Sequence, residues 1–340
     1  MKAYFIRRFL LIIPTFLGVT LIVFAMTRFV PGGPVDRMIQ EAQQLSANGG
    51  GGGGVPGGAS ALSQSQIDEL KAYYGFDKPW YISYAQWLGK VFKGDLGYSS
   101  RYGDPVWELI KDRLPVSILY GLITFFLTYL ICIPLGVIKA IKHKTSLDNI
   151  TSIFIFIGYA IPGYVIGIAL LILLASKFEI FPLGGFTSEG FEELSLVGKI
   201  FDLFHHAVLP ITAYIAGSFA FMTMLMKNSL MDNLASDYVR LAMAKGVEFK
   251  TAVLKHAMRN SLIPIATSFG NNISLIISGS FLIERIFNIN GFGLLGYESL
   301  VERDYPIVMG ILIISSLLYL IGNILSDICV ALVDPRVQFK

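Results

Sequence analysis

Residues 114–138 read LPVSILYGLITFFLTYLICIPLGVI, a stretch without a single charged side chain. About twenty such residues in a helix cross the roughly 30 Å hydrocarbon core of a bilayer. Lipid offers the backbone no hydrogen-bond partners, so a run of this kind must be helical rather than an open strand. Comparable apolar runs occupy 9–30, 150–176, 207–226, 262–283 and 306–333. The chain as a whole is 54% hydrophobic and 15% charged, against about 25% charged in a soluble domain. These numbers predict an all-α integral membrane protein with six transmembrane helices.

An even number of spans returns both termini to one side. Lys2, Arg7 and Arg8 precede the first span, Lys139, Lys142 and Lys144 follow the second, and Arg336 and Lys340 follow the sixth. Lys227, Arg240, Lys245, Lys250, Lys255 and Arg259 lie between the fourth and fifth. These short segments hold 14 of the 27 Lys and Arg residues, and a basic bias of short loops marks the cytoplasmic side. Both termini are therefore expected inside. The N-terminus has the flavour of a signal peptide, but its apolar run is too long and no small-residue cleavage site follows, so it is expected to stay as a span. The net charge of +3 is spread along the chain rather than gathered into a stripe, which gives no footprint for nucleic acid.

Three regions follow: residues 1–30 with the first span, an extracytoplasmic insert over 31–113, and a core of five spans over 114–340. Within the insert, six consecutive glycines, Gly49–Gly54, favour a flexible tether. A phosphate-cradling loop would need a Lys-Ser/Thr tail and a following helix. Beyond the tether, IDELKAYYG predicts a short helix ended by Gly75, and Trp80, Trp87 and Trp107 suit a membrane interface.

Catalytic motifs do not occur. The Gly-Lys pairs at 89–90 and 198–199 lead into Val91 and Ile200, not into Ser or Thr, and no zinc-protease or hydrolase signature is present. Cys132 and Cys329 lie inside apolar runs and are expected to be packing residues. His205 and His206 are adjacent and so point differently on a helix, which favours a structural role over metal binding. The expectation is a chain that is not an enzyme, holds no metal and binds no cofactor of its own.

The most charged short stretch is SDYVRLAMAKGVEFKTAVLKHAMRN, residues 236–260, between the fourth and fifth spans. Val239, Ala242 and Met243 are spaced to form one apolar side of a helix from Asp237 to Lys245. Gly246 is placed to stop that helix in a left-handed conformation. A second helix is expected from Glu248, whose carboxylate suits a helix N-terminus, with Lys255, His256 and Arg259 following. Two short helices joined at a glycine would form a rigid knob suited to a groove on a soluble partner.

These residues also resemble a family. Arg240-Leu-Ala242 followed after three residues by Gly246 is similar to the coupling loop of ABC-transporter permeases, with Arg240 in place of the usual acidic residue. The form DYVRLAMAKG (237–246) followed by KHAMRN (255–260) resembles the dipeptide and oligopeptide branch. So do VPGGP (30–34), YGFDKP (74–79), GDLGYS (94–99), NGFGLLGYES (290–299), RDYPIV (303–308) and VDPR (333–336). With LIKDRLPVS (109–117) and GYAIPGY (158–164), the likeness is greatest to the permease subunit of microcin C/oligopeptide importers.

The resemblance implies an ABC importer permease fold in a bacterial inner membrane, with a coupling loop over 229–261. It implies a second homologous permease subunit, two ATPase subunits that carry ATP and Mg, an extracytoplasmic peptide-binding protein and a peptide cargo. Asp237, Tyr238, Arg240, Ala242, Lys245, Gly246, Glu248, His256 and Arg259 would form the coupling surface. For the transport path, Ser268, Asn271, Asn272 and Ser278 lie on overlapping faces of the fifth span, where amides at depth face a bundle interior. Small-residue helix packing would explain the same pattern. The alternative class is an ion-coupled secondary carrier or channel, favoured by Asp327 and these amides. Carriers, however, show paired broken helices from internal repeats, and no repeat is visible.

Overall fold

A computed structural model describes residues 2–29, 64–73, 75–277 and 279–333. The glycine run, Ser278 and the C-terminal VDPR beyond Val333 lie outside the described residues. Among those described, the secondary structure is helical, and the sole bridge of β type joins Tyr98 to Pro105. In chain order the helices are α1 (Lys2–Phe29), α2 (Gln64–Tyr73), α3 (Trp80–Val91), α4 (Val106–Ile141), α5 (Ser146–Ala160) and α6 (Gly163–Leu170). After them come α7 (Leu196–Leu234), α8 (Asp237–Ala244), α9 (Phe249–Thr251), α10 (Met258–Ser261) and α11 (Ile263–Ile277). The last are α12 (Phe281–Ile286), α13 (Phe292–Val301) and α14 (Tyr305–Val333).

The apolar windows of α1, α4, α7 and α14 are each long enough to cross a membrane. The third expected span is not one rod. α5 and α6 are bent by 95° at a short break, where Ile161 is extended at φ −98° and ψ 121° ahead of Pro162. Proline pushes the preceding residue out of the helical region and supplies no N–H. α6 then widens into a π-helix over Leu171–Lys177. The fifth expected span, 262–283, is helical for 15 residues as α11, a length of about 22 Å, before Gly279 turns the chain at φ +76°. The six runs thus become four long spans, one bent pair and one shorter helix.

The chain divides into two compact units, one of residues 10–112 and 296–316 and the other of 1–9, 113–295 and 317–340. In the smaller unit α3 lies along α1. The Tyr84 hydroxyl donates to Leu17 O at 3.2 Å and lies 3.0 Å from Thr20 Oγ1. Phe24 packs on Tyr84 and Trp87 with ring centroids at 5.5 and 5.6 Å. α2 ends as expected, with Gly75 at φ +70° and its N–H on Ala72 O. The buried carboxylate of Asp304 accepts from Ser99 Oγ at 2.5 Å and from the Ser100 and Arg101 amides, so the loop after α3 is tied to the start of α14.

The larger unit has two apolar cores. One gathers Cys132, Met222, Met226, Leu230, Val239, Val253 and Ile265, and the other gathers Tyr120, Leu209, Ala213, Ile283 and Phe287. Helices approach closely where side chains are absent. A Cβ on Gly136 would stand 2.7 Å from Met226 Cβ, and one on Gly163 would stand 2.6 Å from Ala213 O. One on Gly270 would overlap the Gly322 carbonyl, so α11 and α14 meet backbone to backbone. Without a hydrophobic effect between helices in lipid, such close packing is a main source of association. His205 Nε2 donates to Ile180 O (2.7 Å) and the ring stacks on Phe201, while buried His206 donates Nδ1–H to Asp202 O at 3.0 Å. Both histidines serve the packing of α7.

Gly270→Val is expected to separate α11 from α14 and to lower the thermal stability of the purified chain by about 1–3 kcal/mol or more, as overpacking does. A Cβ on Gly158 would meet no atom within 4 Å, and Gly158→Val is expected to change it little. Equal melting of the two variants would remove the close crossing as a cause.

Candidate coupling site

The charged stretch at 236–260 is built onto the end of α7. α8 starts at Ser236, whose hydroxyl donates back to Asp232 O at 3.1 Å instead of capping, and Asp237 stands in the first turn, where a negative charge suits the helix dipole. At its other end Gly246 has φ +88°. The Gly246 N–H bonds to Met243 O at 2.9 Å and the Val247 N–H to Ala242 O at 3.1 Å. That pair of bonds is a Schellman closure, which needs a left-handed residue at the position glycine holds. The expected first helix and its glycine stop are therefore realised.

The second arm differs from a plain helix. α9 starts after Glu248, widens into a π-helix over Ala252–Ala257 and closes as α10. Ala252, Val253 and Ala257 are all buried, and with Val239 they join the core formed by α4, α7 and α11. Met243, spaced to share the apolar side of Val239, is 36% exposed, because the eight-residue α8 reaches the core at Val239 alone. Hydroxyls and amides lock the rest. Ser229 Oγ donates to Ser261 O, Ser261 Oγ donates to Ala257 O, and Asn260 Nδ2 donates to the Tyr238 hydroxyl, which in turn donates to Asn233 Oδ1. Arg259 Nε donates to Val333 O at 3.0 Å, a cation on the last described carbonyl of α14.

The outer side combines apolar and basic groups. Tyr238, Leu241, Phe249 and Leu254 are exposed large side chains. Around them Arg240, Lys245, Lys250, Lys255 and His256 are exposed, with Glu248 and Asp237 as the acids. Arg240 stands 3.9 Å from Asp237, both well exposed, a pair of little energetic weight.

A buried charge cluster beside this site was not legible as such in the sequence. Lys139 near the end of α4, Asp148 in the first turn of α5 and Lys227 on α7 meet with hardly any solvent exposure. Lys227 Nζ lies 2.8 Å from both Asp148 oxygens and Lys139 Nζ 2.9 Å from Oδ1. Lys139 also donates to Asp148 O, Thr151 Oγ1 and Ser152 Oγ. His143 Nδ1 and the Lys144 amide reach Asp148 Oδ2, each at 3.2 Å. Lys139 and Lys227 had served only as markers of the cytoplasmic side. A lone acid beside basic residues and followed by Thr151 and Ser152 was the available signal.

A second buried carboxylate, Glu284 on α12, accepts from Ser117 Oγ at 3.1 Å and from the Leu294 amide at 2.6 Å. Burial pushes its carboxyl above the usual range, opposed by those hydrogen bonds and by the Tyr214 hydroxyl. Gly279 and Gly291 stand so close that an added Cβ would strike the carboxylate. Glu284 thereby fastens the turn after α11 to α4 and α7.

Of the expected path residues, Ser268 Oγ donates to Pro264 O within its own helix and Asn272 Nδ2 donates to the Tyr129 hydroxyl on α4. The side chain of Asn271 and all of Ser278 lie outside the described residues.

Residues 132–339 match the family described as "Binding-protein-dependent transport system inner membrane component". This span holds the charge cluster, the helix pair and Glu284. Relatives match end to end. The inner membrane ABC transporter permease protein YejB of Escherichia coli O157:H7 is 41% identical, with 100% of each chain covered. The peptidoglycan transport system permease protein YejB of Agrobacterium fabrum is 39% identical over 100% of this chain and 99% of its own. The oligopeptide transport system permease protein AppB of Bacillus subtilis is 36% identical, with 100% of each chain covered. The chain belongs to this family of inner-membrane transport components. It is a multi-pass ABC-transporter permease, and the resemblance to the dipeptide and oligopeptide branch holds.

Asp148→Asn is expected to leave two buried ammonium groups without a counter-charge and to destabilise the chain by about 3–5 kcal/mol. Replacing all three charges together (Asp148→Leu, Lys139→Met, Lys227→Met) should recover most of that loss. Thermal unfolding of the purified variants measures both, and a triple variant no better than Asp148→Asn would show that the three charges do not act as one unit.

Proposed function

We propose that this chain is one permease subunit of an ATP-driven importer for peptides, and that residues 236–260 are where separate ATPase subunits dock. The carrying observation is the combination of a Schellman-closed helix pair rooted in the core with an outward surface of exposed apolar and basic side chains. A mobile loop could bind a partner but could not transmit its movement. Here Val239, Val253 and Ala257 share a core with Met222, Met226 and Leu230 of α7, so displacement of the knob displaces the long helix. Driving a two-state protein from 1:99 to 99:1 needs about 5.5 kcal/mol of differential binding, which a docked surface of this kind is suited to supply.

Peptide cargo is supported by the printed roles of the relatives, among them oligopeptide and dipeptide permeases. ATP and Mg would reside on the ATPase partners, a second homologous permease would complete the path, and an extracytoplasmic binding protein would deliver cargo. ATP is cytoplasmic, so this reading puts the knob and both termini on the cytoplasmic side. Asn271 and Asn272, with Ser268 and Ser278, are proposed to flank the path.

Gly246→Val places a β-branched residue where φ is positive, a strongly disfavoured conformation. Open space surrounds that Cβ position, so the backbone alone is perturbed. The expected result is normal membrane abundance, loss of ATPase subunits on purification and no peptide uptake. Arg240→Glu should weaken co-purification less, since only an exposed charge changes. Retention of the ATPases and of uptake by Gly246→Val would overturn the docking role. Asn272→Leu is expected to alter which peptides are imported while the complex stays assembled. An equal loss for every peptide, with loss of the second permease, would assign Asn272 to packing through Tyr129.

A further inference from the structure

The smaller unit contains a cavity of about 330 Å³ between α1, α3, the loop after α3 and the start of α14. That is at the small end of ligand-sized pockets. Its apolar wall includes Phe24, Trp87 and Met309, and Arg28, Lys78 and Lys90 also line it. Among the described residues Asp95 is the one acid on the wall, and it accepts the Gly97 amide at 3.0 Å. Neither the coupling knob nor the path residues take part in it.

Its basic groups are organised. Arg28 donates to Gly75 O at 3.0 Å and to Lys78 O at 2.8 Å, and its guanidinium stands 4.9 Å from the Phe76 ring centroid. Those bonds use two of the five guanidinium N–H groups. Lys78 Nζ is held by Gln86 Oε1 at 3.1 Å. The pocket wall is thus braced around three cations and one carboxylate.

Depth in the membrane follows from two helix ends. Arg28 lies two residues beyond the apolar window Phe9–Met26 of α1, and Tyr305 on the same cavity wall is the first residue of α14. The ends of spanning helices sit at headgroup level. Trp80 and Tyr81 on α3 are exposed, as amphipathic rings at that level are.

We propose that this cavity binds the headgroup of an anionic phospholipid, with the glycerol and upper acyl carbons on Phe24, Trp87 and Met309. The three cations select the phosphate and reject a headgroup that brings its own ammonium. Free phosphate has no hydrocarbon to place on the apolar wall, so the bilayer is the source. The inference depends on the chain residing in a membrane and not on the nature of its cargo.

The test uses the full chain in mild detergent, offered phosphatidylglycerol or phosphatidylcholine and weighed by native mass spectrometry. No ATPase or peptide is present, so failure here leaves the peptide-importer reading untouched. Retention of phosphatidylglycerol is expected to exceed that of phosphatidylcholine roughly tenfold, the scale set by a few basic groups at a membrane surface. The variant Lys78→Glu/Lys90→Glu changes two exposed side chains and should lose this preference without altering elution or melting. Equal retention of both lipids, or unchanged retention by the double variant, would overturn the proposal. Displacement of the lipid by millimolar glycerol phosphate or by a peptide would overturn it too, assigning the cavity to a soluble anion or to cargo.

Discussion

One carboxylate brings three helices together beside the helix pair at 236–260. Asp148, in the first turn of α5, is held by Lys139 near the end of α4 and by Lys227 on α7. Three charges out of water are tolerated because every one has a partner and the three N–H donors of Lys139 go to Asp148 O, Thr151 and Ser152. Such clusters contribute less to stability than their count suggests, since desolvation offsets much of the attraction. Their consequence is geometric: three helix segments must meet in one arrangement, or a charge is left buried alone.

That constraint gives the knob a firm base. Lys227 is one turn from Leu230, and Leu230 packs in the same core as Val239 and Val253. The bond from Ser229 Oγ to Ser261 O ties α7 to α10 beside it. A push on the outer residues Leu241, Phe249 or Leu254 is therefore delivered to a packed core and a fixed charge cluster. Farther along the same unit, Glu284 does a comparable task for the turn after α11, with Ser117 linking it to α4 and also accepting the Phe292 amide. Two buried carboxylates thus hold the connections while apolar contacts and glycine crossings hold the helices themselves.

Much of the helix pair at 236–260 was readable from residue types, because its geometry is local. Gly246 after an apolar-periodic octapeptide specifies a left-handed stop through steric exclusion of a Cβ, and the two bonds from Gly246 and Val247 follow from it. The exposure of Met243 was not readable: spacing tells which residues share a face, but how far that face sinks into a core depends on the neighbouring helices. Asn272 shows the same limit, since its bond to Tyr129 joins residues 143 positions apart.

The sequence alone determined that this chain is helical and lives in a membrane, since long uncharged runs leave the backbone no other partner for its polar groups. It also carried the family likeness and the helix–glycine–helix pattern, both written in short contiguous motifs. Only the tertiary structure decided that Lys139 and Lys227 are buried partners of Asp148 and not solvated topology signals. Ion pairing across 79 positions, between Asp148 and Lys227, leaves no periodic trace in a sequence. The same holds for the break at Pro162, whose direction of 95° is set by packing, and for the cavity beside Arg28, which exists because separate segments converge around a side chain that any one of them would leave in the open.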